Sequence, residues 1–248
     1  MSSTLAPPEA PLAFDGVRMA LPDGTHTADD VTFSVGTGEL VSVVGPSGCG
    51  KSTLLRLASG LSRPSRGTVS VDRADLGYVG PDPALLPWRT VQGNVELLAQ
   101  LHGIDRAERQ ELAGEAIRLV GLEGFERHVP RRLSPEMTVR VALARSLTMR
   151  PGVFLFDEPF GALHERTRDR LDDQLLRLLC DGRFAGLFVT HSVREAVFLS
   201  TRVIVLARPG RLVGDFTVPF DHPRPPRLRA SAPFRALVDQ VAAAAREP

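Results

Sequence analysis

The amino-acid sequence predicts an α/β fold, in which helices cover a mostly parallel β-sheet. Short apolar strand candidates alternate with helical segments beyond residue 150, a pattern typical of a parallel sheet. The run Leu40–Val44 suits a strand that is buried on both faces. With 248 residues, and about 150 residues per domain as a guide, the chain has room for one to two domains.

The N-terminal part of the chain predicts an additional antiparallel β-layer. Residues 1–11 contain three prolines and are expected to form a disordered leader. Val31–Val35 alternates apolar with polar residues, as a strand with one buried face does. The leucine spacing of Lys51–Ser59 predicts a helix, and two short strands are expected at Thr68–Val71 and Leu76–Val79.

The middle of the chain, from about residue 82 to residue 150, is predicted to be a helical insertion between strands of the core. The helices expected there are Gly93–Leu101, Arg106–Val120 and Met137–Thr148. Strands and helices then alternate within one predicted domain that spans residues 12–245. The elements expected are Val153–Phe156, Arg166–Cys180, Leu187–Thr190, Val193–Leu199 and Val203–Leu206. In the Pro/Arg-rich tail of residues 219–248, Pro219–Pro226 is expected to be extended and Ala232–Arg246 helical.

Composition and charge exclude several classes of protein. A balance of 30 basic against 29 acidic residues argues against a chain whose main task is to bind nucleic acid. Two cysteines are too few for a disulfide framework. Neither a secretory signal nor a spanning run of about 18 apolar residues is recognisable, so we expect a cytoplasmic protein. Arg224, Arg227 and Arg229 of the tail are expected to form a solvated face, with lipid headgroups as the alternative contact.

The segment Gly45-Pro-Ser-Gly-Cys-Gly-Lys-Ser52 carries the strongest chemical signal, because it matches G-x-x-x-x-G-K-[ST] between a predicted strand and a predicted helix. Its glycines allow successive N–H groups to point at phosphate oxygens, and the helix N-terminus adds positive potential. Lys51, the only lysine of the chain, would reach the β- and γ-phosphates, and the Ser52 hydroxyl would bind Mg²⁺. The predicted nucleotide contacts are Gly45, Pro46, Ser47, Gly48, Cys49, Gly50, Lys51, Ser52 and Thr53. Cys49 is expected to be a small packing residue, with a reactive thiol of low pKa as the alternative.

Two carboxylates end the apolar strand that begins at Val153. Asp157 would hold Mg²⁺ through water, and Glu158 would polarise the attacking water. His191 follows the next predicted strand, where it would touch the γ-phosphate. The alternatives are that the Asp-Glu pair only caps a strand-to-turn junction and that the histidine is structural. The phosphate-binding loop in the same chain favours the functional interpretation over both.

These motifs together resemble those of ATP-binding cassette (ABC) transporter ATPases. The phosphate-binding loop, the helical block, Leu133-Ser134, Asp157-Glu158-Pro-Phe-Gly-Ala-Leu163 and Thr190-His191 occur in that family's order. Leu85-Leu-Pro-Trp-Arg-Thr-Val91 and Pro223-Arg-Pro-Pro226 are similar to the nitrate/sulfonate/taurine importer branch. The resemblance implies a P-loop NTPase (RecA-like) core, ATP and Mg²⁺ as cofactors, and a head-to-tail dimer. In such a dimer Ser134 would contact the nucleotide bound by the partner's loop.

Three motifs of the family and one aromatic position are altered in this chain. Counting back from Trp88 places Pro81 where the family's Q-loop has glutamine, and His164 stands where the D-loop aspartate is expected. The signature, Leu133-Ser-Pro-Glu-Met137, lacks both glycines. The aromatic residue that stacks on adenine falls near Leu21, with Phe14 as a substitute. We therefore expect slow hydrolysis by the protein alone.

The altered signature has a local and a functional interpretation. Locally, Ser134 is a good N-cap, Pro135 suits a first helical turn and Glu136 complements the helix dipole. Functionally, Pro135 lacks an N–H donor, and Glu136 places a carboxylate where a partner's γ-phosphate would dock. Two unit charges about 4 Å apart repel by about 4 kcal/mol at an effective dielectric constant of about 20. This surface should therefore bind phosphate weakly.

The sequence thus predicts an ABC importer ATPase subunit that couples ATP binding and hydrolysis to uptake of a small anion or sulfonate. The expected partners are membrane-spanning permease subunits, a second ATPase subunit and an extracytoplasmic solute-binding protein, with no nucleic acid. A heterodimer is favoured over a homodimer, and the expected location is peripheral, on the cytoplasmic side of the cell membrane. The alternatives are a hydrolysis-poor regulatory or scaffolding subunit, a soluble ABC-type ATPase acting on nucleic acid and, more weakly, a P-loop kinase.

Overall fold

A computed structural model of the chain describes residues 10–20, 26–179 and 184–246. Most of the predicted leader, together with Leu21 and Cys180, lies outside these ranges. The strands are β1 Leu12–Ala20, β2 His26–Val35, β3 Leu40–Val44, β4 Arg66–Val71, β5 Leu76–Val79, β6 Val153–Asp157, β7 Ala185–Val189, β8 Arg202–Ala207 and β9 Arg211–Thr217. The helices are α1 Lys51–Ala58, α2 Val91–Val95, α3 Leu97–Leu101, α4 Arg106–Leu119, α5 Pro135–Leu147, α6 Glu165–Leu179, α7 Val193–Leu199 and α8 Ala232–Ala244.

The strands form two sheets. The larger sheet has the order β5-β6-β7-β3-β8-β9 and is parallel except for its last strand, β9, which is antiparallel. The smaller sheet has the order β2-β1-β4 and is antiparallel. Helices α2 to α5 lie between β5 and β6 in the chain. The predicted fold class, an α/β P-loop core with an antiparallel layer and an inserted helical region, is confirmed.

The two faces of the larger sheet bury different cores, since successive side chains of a strand point to opposite faces. On one face, Ile204 and Leu206 pack with leucines of α1 and with the smaller sheet. On the other face, Val203 and Val205 pack in a cluster that includes residues of helices α4 to α8. Helix α1 is therefore held between the two sheets. The carboxyl ends of β3, β6 and β7 meet at one edge, where ligands bind in open α/β sheets.

Strands β1 and β9 were not among the predicted strands, and one predicted helix is divided into two. The single helix expected at Gly93–Leu101 is wrong, because α2 and α3 are separated at Glu96. The backbone ψ at Glu96 is −14°, away from the α-helical value of about −42°. Strand β9 was not predicted, because it is a partly exposed edge strand whose apolar pattern is interrupted at Gly214.

The interpretation of the tail arginines as a solvated face is wrong for two of the three. Arg224 is 6% exposed and donates to the carbonyls of Phe220, Val197, Phe198 and Ser200. Arg229 is 5% exposed and lies 3.3 Å over the Phe198 ring. The acidic side chains around Arg229 all belong to α6 and are Asp169, Asp172 and Asp173. Only Arg227 is exposed.

No helix in the described part of the chain is both long enough and apolar enough to cross a bilayer.

Candidate functional site

The loop between β3 and α1 is shaped by glycines, two of which leave no room for a side chain. Gly45, Gly48 and Gly50 have φ values of 154°, 78° and 96°. A Cβ on Gly45 would lie 2.2 Å from the Leu206 carbonyl oxygen, and one on Gly50 would lie 1.7 Å from that of Thr27. Both contacts are far inside van der Waals distance. The loop therefore curls tightly and delivers the N-terminus of α1 to the edge of the sheet.

Lys51 lies at the base of this loop and is only 4% exposed. Its Nζ donates to the carbonyls of Gly45 at 2.9 Å and Pro46 at 3.2 Å. Beside it opens a cavity of about 260 Å³. The cavity is lined by Thr27, Ser47, Gly48, Gly50, Lys51, Ser52, Thr53, Glu158 and His191. Backbone amides, an ammonium and hydroxyls thus face one space, which suits a phosphate chain.

The Cys49 side chain points away from this cavity into the core around α1 and is fully buried. Burial raises the pKa of its thiol, and the opposing effect of nearby Lys51 is smaller. Cys49 is therefore a packing residue, as expected, and the alternative of a reactive thiolate is wrong. Only its backbone is free to face a phosphate.

Asp157, at the end of β6, is 7% exposed and is held by two hydroxyl groups. Ser52 Oγ donates to its Oδ1 at 2.9 Å, and the Tyr78 hydroxyl donates to its Oδ2 at 3.1 Å. Burial, followed by the charge of Asp157, raises the pKa of Tyr78 to about 12. Hard oxygen donors such as Ser52 and Asp157 are the ligands that Mg²⁺ prefers, so the residues present fit that ion.

Glu158 and His191 come together from adjacent parallel strands. His191 Nε2 lies 2.8 Å from Glu158 Oε1, and both side chains line the cavity. Glu158 has φ 48°, an uncommon left-handed conformation outside glycine, while its N–H donates to the Val189 carbonyl at 2.9 Å. That bond to the neighbouring strand β7 fixes the turn and aims the carboxylate at His191.

A buried network behind His191 was not predicted. Thr190 Oγ1 donates to Glu195 Oε2 and accepts the Ser192 N–H at 3.0 Å. Burial raises the pKa of Glu195, which is 5% exposed. Ser192 caps α7 by accepting the Glu195 N–H at 3.2 Å. The Ser-x-x-Glu spacing of a capping box was the sequence signal that could have identified this network.

Two further contacts to the site were also not predicted from the sequence. Tyr78 lies in the short strand β5, and nothing in the pattern of that strand marks its side chain as polar-facing. Arg208 Nε and Nη2 both donate to the Ser47 carbonyl, with Nε at 3.1 Å. This bond ties the phosphate-binding loop to the turn between β8 and β9, a contact between residues 161 positions apart.

The altered signature starts helix α5 two residues earlier than predicted. Ser134 is its N-cap and accepts the Met137 N–H at 3.3 Å, as the local interpretation expected. Glu136 is paired with Arg140 one turn later, with 2.6 Å between Oε1 and Nη2. A paired carboxylate repels a phosphate less than the isolated charge assumed from the sequence. Ser134 is not among the residues that line the Lys51 cavity.

The other altered positions contribute little to the cavity. Pro81 is exposed in the segment after β5, and His164 is exposed just before α6. The proposed substitution of Phe14 for the adenine-stacking aromatic is wrong. Phe14 is 1% exposed, and its ring stacks on Phe33 with 4.7 Å between the centroids. An apolar ring at the start of β1 is drawn into the core between the sheets.

A family model described as ABC transporter matches residues 28–161. An uncharacterized ABC transporter ATP-binding protein of Methanocaldococcus jannaschii is 46% identical over 204 residues, which are 79% of this chain and 76% of the relative. The taurine import ATP-binding protein TauB of Yersinia pestis is 39% identical over 222 residues, 86% of each chain. The nitrate import ATP-binding protein NrtC of Synechococcus elongatus is 41% identical over 228 residues, which are 86% of this chain and 34% of that protein.

The fold is similar to that of a solved ATP-binding cassette. The dimeric post-hydrolysis structure of a cassette bound to ADP and Pi has a TM-score of 0.73 and 30% sequence identity. The match covers 85% of this chain and 100% of the solved chain.

Proposed function

Because the chain belongs to the ABC transporter family, we propose that it is the nucleotide-binding subunit of an importer that couples ATP hydrolysis to uptake of a small anion or sulfonate. One observation carries the proposal. The Lys51 loop, Ser52 and the Glu158–His191 pair all face a single cavity, and Ser52 donates a hydrogen bond to Asp157 at 2.9 Å. The relatives named for nitrate and taurine import support the choice of substrate class.

Each residue in the cavity has a role that its geometry supports. Lys51 and the N–H groups of the loop bind and orient the phosphates of ATP. Ser52 and Asp157 would hold Mg²⁺, which supplies charge neutralisation at the phosphates. Glu158 has one carboxylate oxygen engaged by His191, so its other oxygen is available to accept the proton of the attacking water. His191 fixes the orientation of that carboxylate.

The pairing of subunits follows from the altered signature. In a homodimer, two intact loops would each face a Pro135-Glu136 surface, where Pro135 has no N–H to donate and Glu136 carries a carboxylate. A partner with an intact signature would complete one site, to which this chain supplies Lys51 and Glu158. We therefore favour a heterodimer, associated with membrane-spanning permease subunits at the cytoplasmic face of the membrane and served by an extracytoplasmic solute-binding protein.

A hydrolysis-poor regulatory subunit is the second candidate, and it is favoured by Pro81. A proline there offers no side-chain hydrogen bond to water or metal. The two candidates share ATP binding and differ in turnover. Phosphate release by the chain together with its copurifying partner distinguishes them, since a regulatory subunit would leave the rate unchanged when Glu158 is replaced by glutamine.

The proposal is tested by replacing Lys51 with alanine. Charge-assisted hydrogen bonds are worth about 1.5–3 kcal/mol each, so calorimetry should show ATP affinity falling at least about tenfold. Arg56→Ala is the matched control, because it removes a cation from the same helix at an exposed position outside the cavity. Equal ATP affinity in wild type and a folded Lys51→Ala variant would refute the nucleotide site.

A further inference from the structure

The Asp157 carboxylate is clamped from both sides, although the family motifs account for only one contact. Ser52 occupies Oδ1 at 2.9 Å and Tyr78 occupies Oδ2 at 3.1 Å. Ser52 comes from the first turn of α1, whereas Tyr78 comes from β5. The two donors therefore belong to different elements of the fold.

The sheet register explains how Tyr78 reaches this carboxylate. Tyr78 is paired with Leu155 in the neighbouring parallel strand β6. Because side chains alternate along a strand, Asp157 points to the same face as Leu155, two residues earlier. Tyr78 and Asp157 are thus diagonal neighbours, a separation that a long aromatic side chain spans. Asp157 is 7% exposed, whereas Tyr78 is 36% exposed.

The Tyr78 hydroxyl is a dependable donor over the physiological range. An ordinary phenol has a pKa of about 10, so this hydroxyl keeps its proton near neutral pH and can donate to Asp157 Oδ2. Tyr78 is also the only polar side chain in β5. Pro81, which follows the same strand, has no side-chain donor or acceptor to offer.

We propose that Tyr78 is a positioning residue for the magnesium–nucleotide site, where its hydroxyl fixes the rotation of the Asp157 carboxylate and keeps Oδ1 turned toward Ser52. This inference rests on the proposed function. The torsion of an aspartate carboxylate is broad, so a single contact at Oδ1 leaves it poorly defined. A second contact at Oδ2 removes that freedom before the ion arrives. Strand β5 therefore serves the metal side of the site through residue 78.

The test replaces Tyr78 with phenylalanine, which removes the hydroxyl and keeps the ring. Outer contacts of this kind change metal affinity by about 10–100-fold. ATP affinity is measured by calorimetry across a Mg²⁺ titration and again with a chelator present. Y78F should need about tenfold more Mg²⁺ to reach full ATP affinity, while its affinity in the chelator stays at the wild-type value.

A double-mutant cycle shows whether Tyr78 acts through Asp157. In an Asp157→Asn background, the Tyr78→Phe change should give no further shift in the Mg²⁺ requirement, because the two residues are coupled. An additive shift would contradict the inference. So would an equal loss of ATP affinity with and without Mg²⁺, since that result describes a general structural role.

Unmodified protein offers a second measurement. Tyr78 is the only tyrosine of the chain, so tyrosine that is isotope-labelled at Cζ alone gives a single ring resonance. Adding Mg²⁺ to the ATP complex should shift that resonance, and an unshifted resonance would overturn the inference. If wild type binds Mg²⁺ and ATP but Tyr78→Phe matches it throughout, the inference alone is wrong. If the wild-type protein shows no Mg²⁺-dependent binding of ATP, both the inference and the proposed function are wrong.

Discussion

Lys51 stands alone among 29 arginines, and its surroundings explain why arginine does not replace it. The position is 4% exposed, and two loop carbonyls accept from a single nitrogen within 3.2 Å. A compact ammonium with rotatable donors fits there, whereas a planar guanidinium would need a wider space. The chain uses arginine at its other basic positions, and lysine stands at this one because the shape of the cation matters here.

Pro81 is the residue whose replacement should raise activity. We expect Pro81→Gln to speed phosphate release, by up to about 10²-fold, because single positioning contacts in other enzymes are worth about 10²–10³ in rate. The measurement is phosphate release under single-turnover conditions. Pro83→Gln is the matched control, since it makes the same change two residues away and should leave the rate unaltered. An unchanged rate in Pro81→Gln would show that Pro81 does not slow hydrolysis.

The C-terminal tail is a structural element that closes over the end of α7. Arg224→Ala would leave the carbonyls of Val197, Phe198 and Ser200 without this buried donor. Each unsatisfied group costs about 1–3 kcal/mol, so we expect a loss of about 2–4 kcal/mol in the free energy of unfolding. Urea denaturation measures it. Arg227→Ala, at an exposed position in the same tail, should stay within about 0.5 kcal/mol of wild type.

The acidic cluster between α6 and α7 should make stability depend on pH. Burial, and then the charge of Glu195, raises the pKa of Asp172 well above its ordinary value. A raised folded-state pKa gives stability that is complete below the unfolded value, about 3.9, and is lost as pH rises through the folded value. Asp172→Asn cannot ionise, so it should be about 1 kcal/mol more stable than wild type near neutral pH.

Thermal unfolding across about pH 4 to pH 8 checks this expectation. The gain of Asp172→Asn should vanish toward the acid end, where the wild-type carboxyl is protonated. Asp173→Asn is the control, because Asp173 is more exposed and sits 2.8 Å from Arg229. It should be no more stable than wild type at any pH. A less stable Asp172→Asn at neutral pH would mean that its attraction to Arg229 outweighs burial.

Local pattern predicted those elements whose residues determine their own conformation. The glycines of the loop and the buried run of β3 are examples, and both were found where expected. Contacts between distant segments were missed. Arg224 is buried because carbonyls 24 to 27 residues earlier accept from it, and Tyr78 reaches Asp157 across 79 residues. Neither partner is visible in the sequence around those residues, so composition alone made the tail arginines look solvated.

At the scale of the whole molecule, dimerisation should be limited by the start of α5. Replacing Pro135 and Glu136 with glycine restores an N–H donor and removes a carboxylate. We expect ATP and Mg²⁺ to produce dimers of this double variant, in a Glu158→Gln background that preserves the nucleotide, and few dimers of the matching parent. Sedimentation velocity measures both.

Glu136→Gln alone separates the two causes of weak dimerisation, because it removes the charge and retains the proline. Partial recovery of dimers in this variant would assign part of the defect to charge, even with Arg140 paired to Glu136. If the parent and the double variant dimerise equally with ATP, the altered signature has no influence on dimerisation.

The strands that pair with β3 are distant from it in the sequence, and this distance affects how the protein folds during synthesis. Val41 pairs with Leu187 on one side and with Arg202 on the other. The strand that precedes the phosphate-binding loop therefore cannot pair with its neighbours until the last third of the chain is present. Contacts between such distant segments carry a large loop-closure entropy and form slowly. During synthesis, an unfinished chain therefore lacks the sheet that supports the loop. The phosphate-binding loop therefore gains the support of its sheet only when the chain is nearly complete.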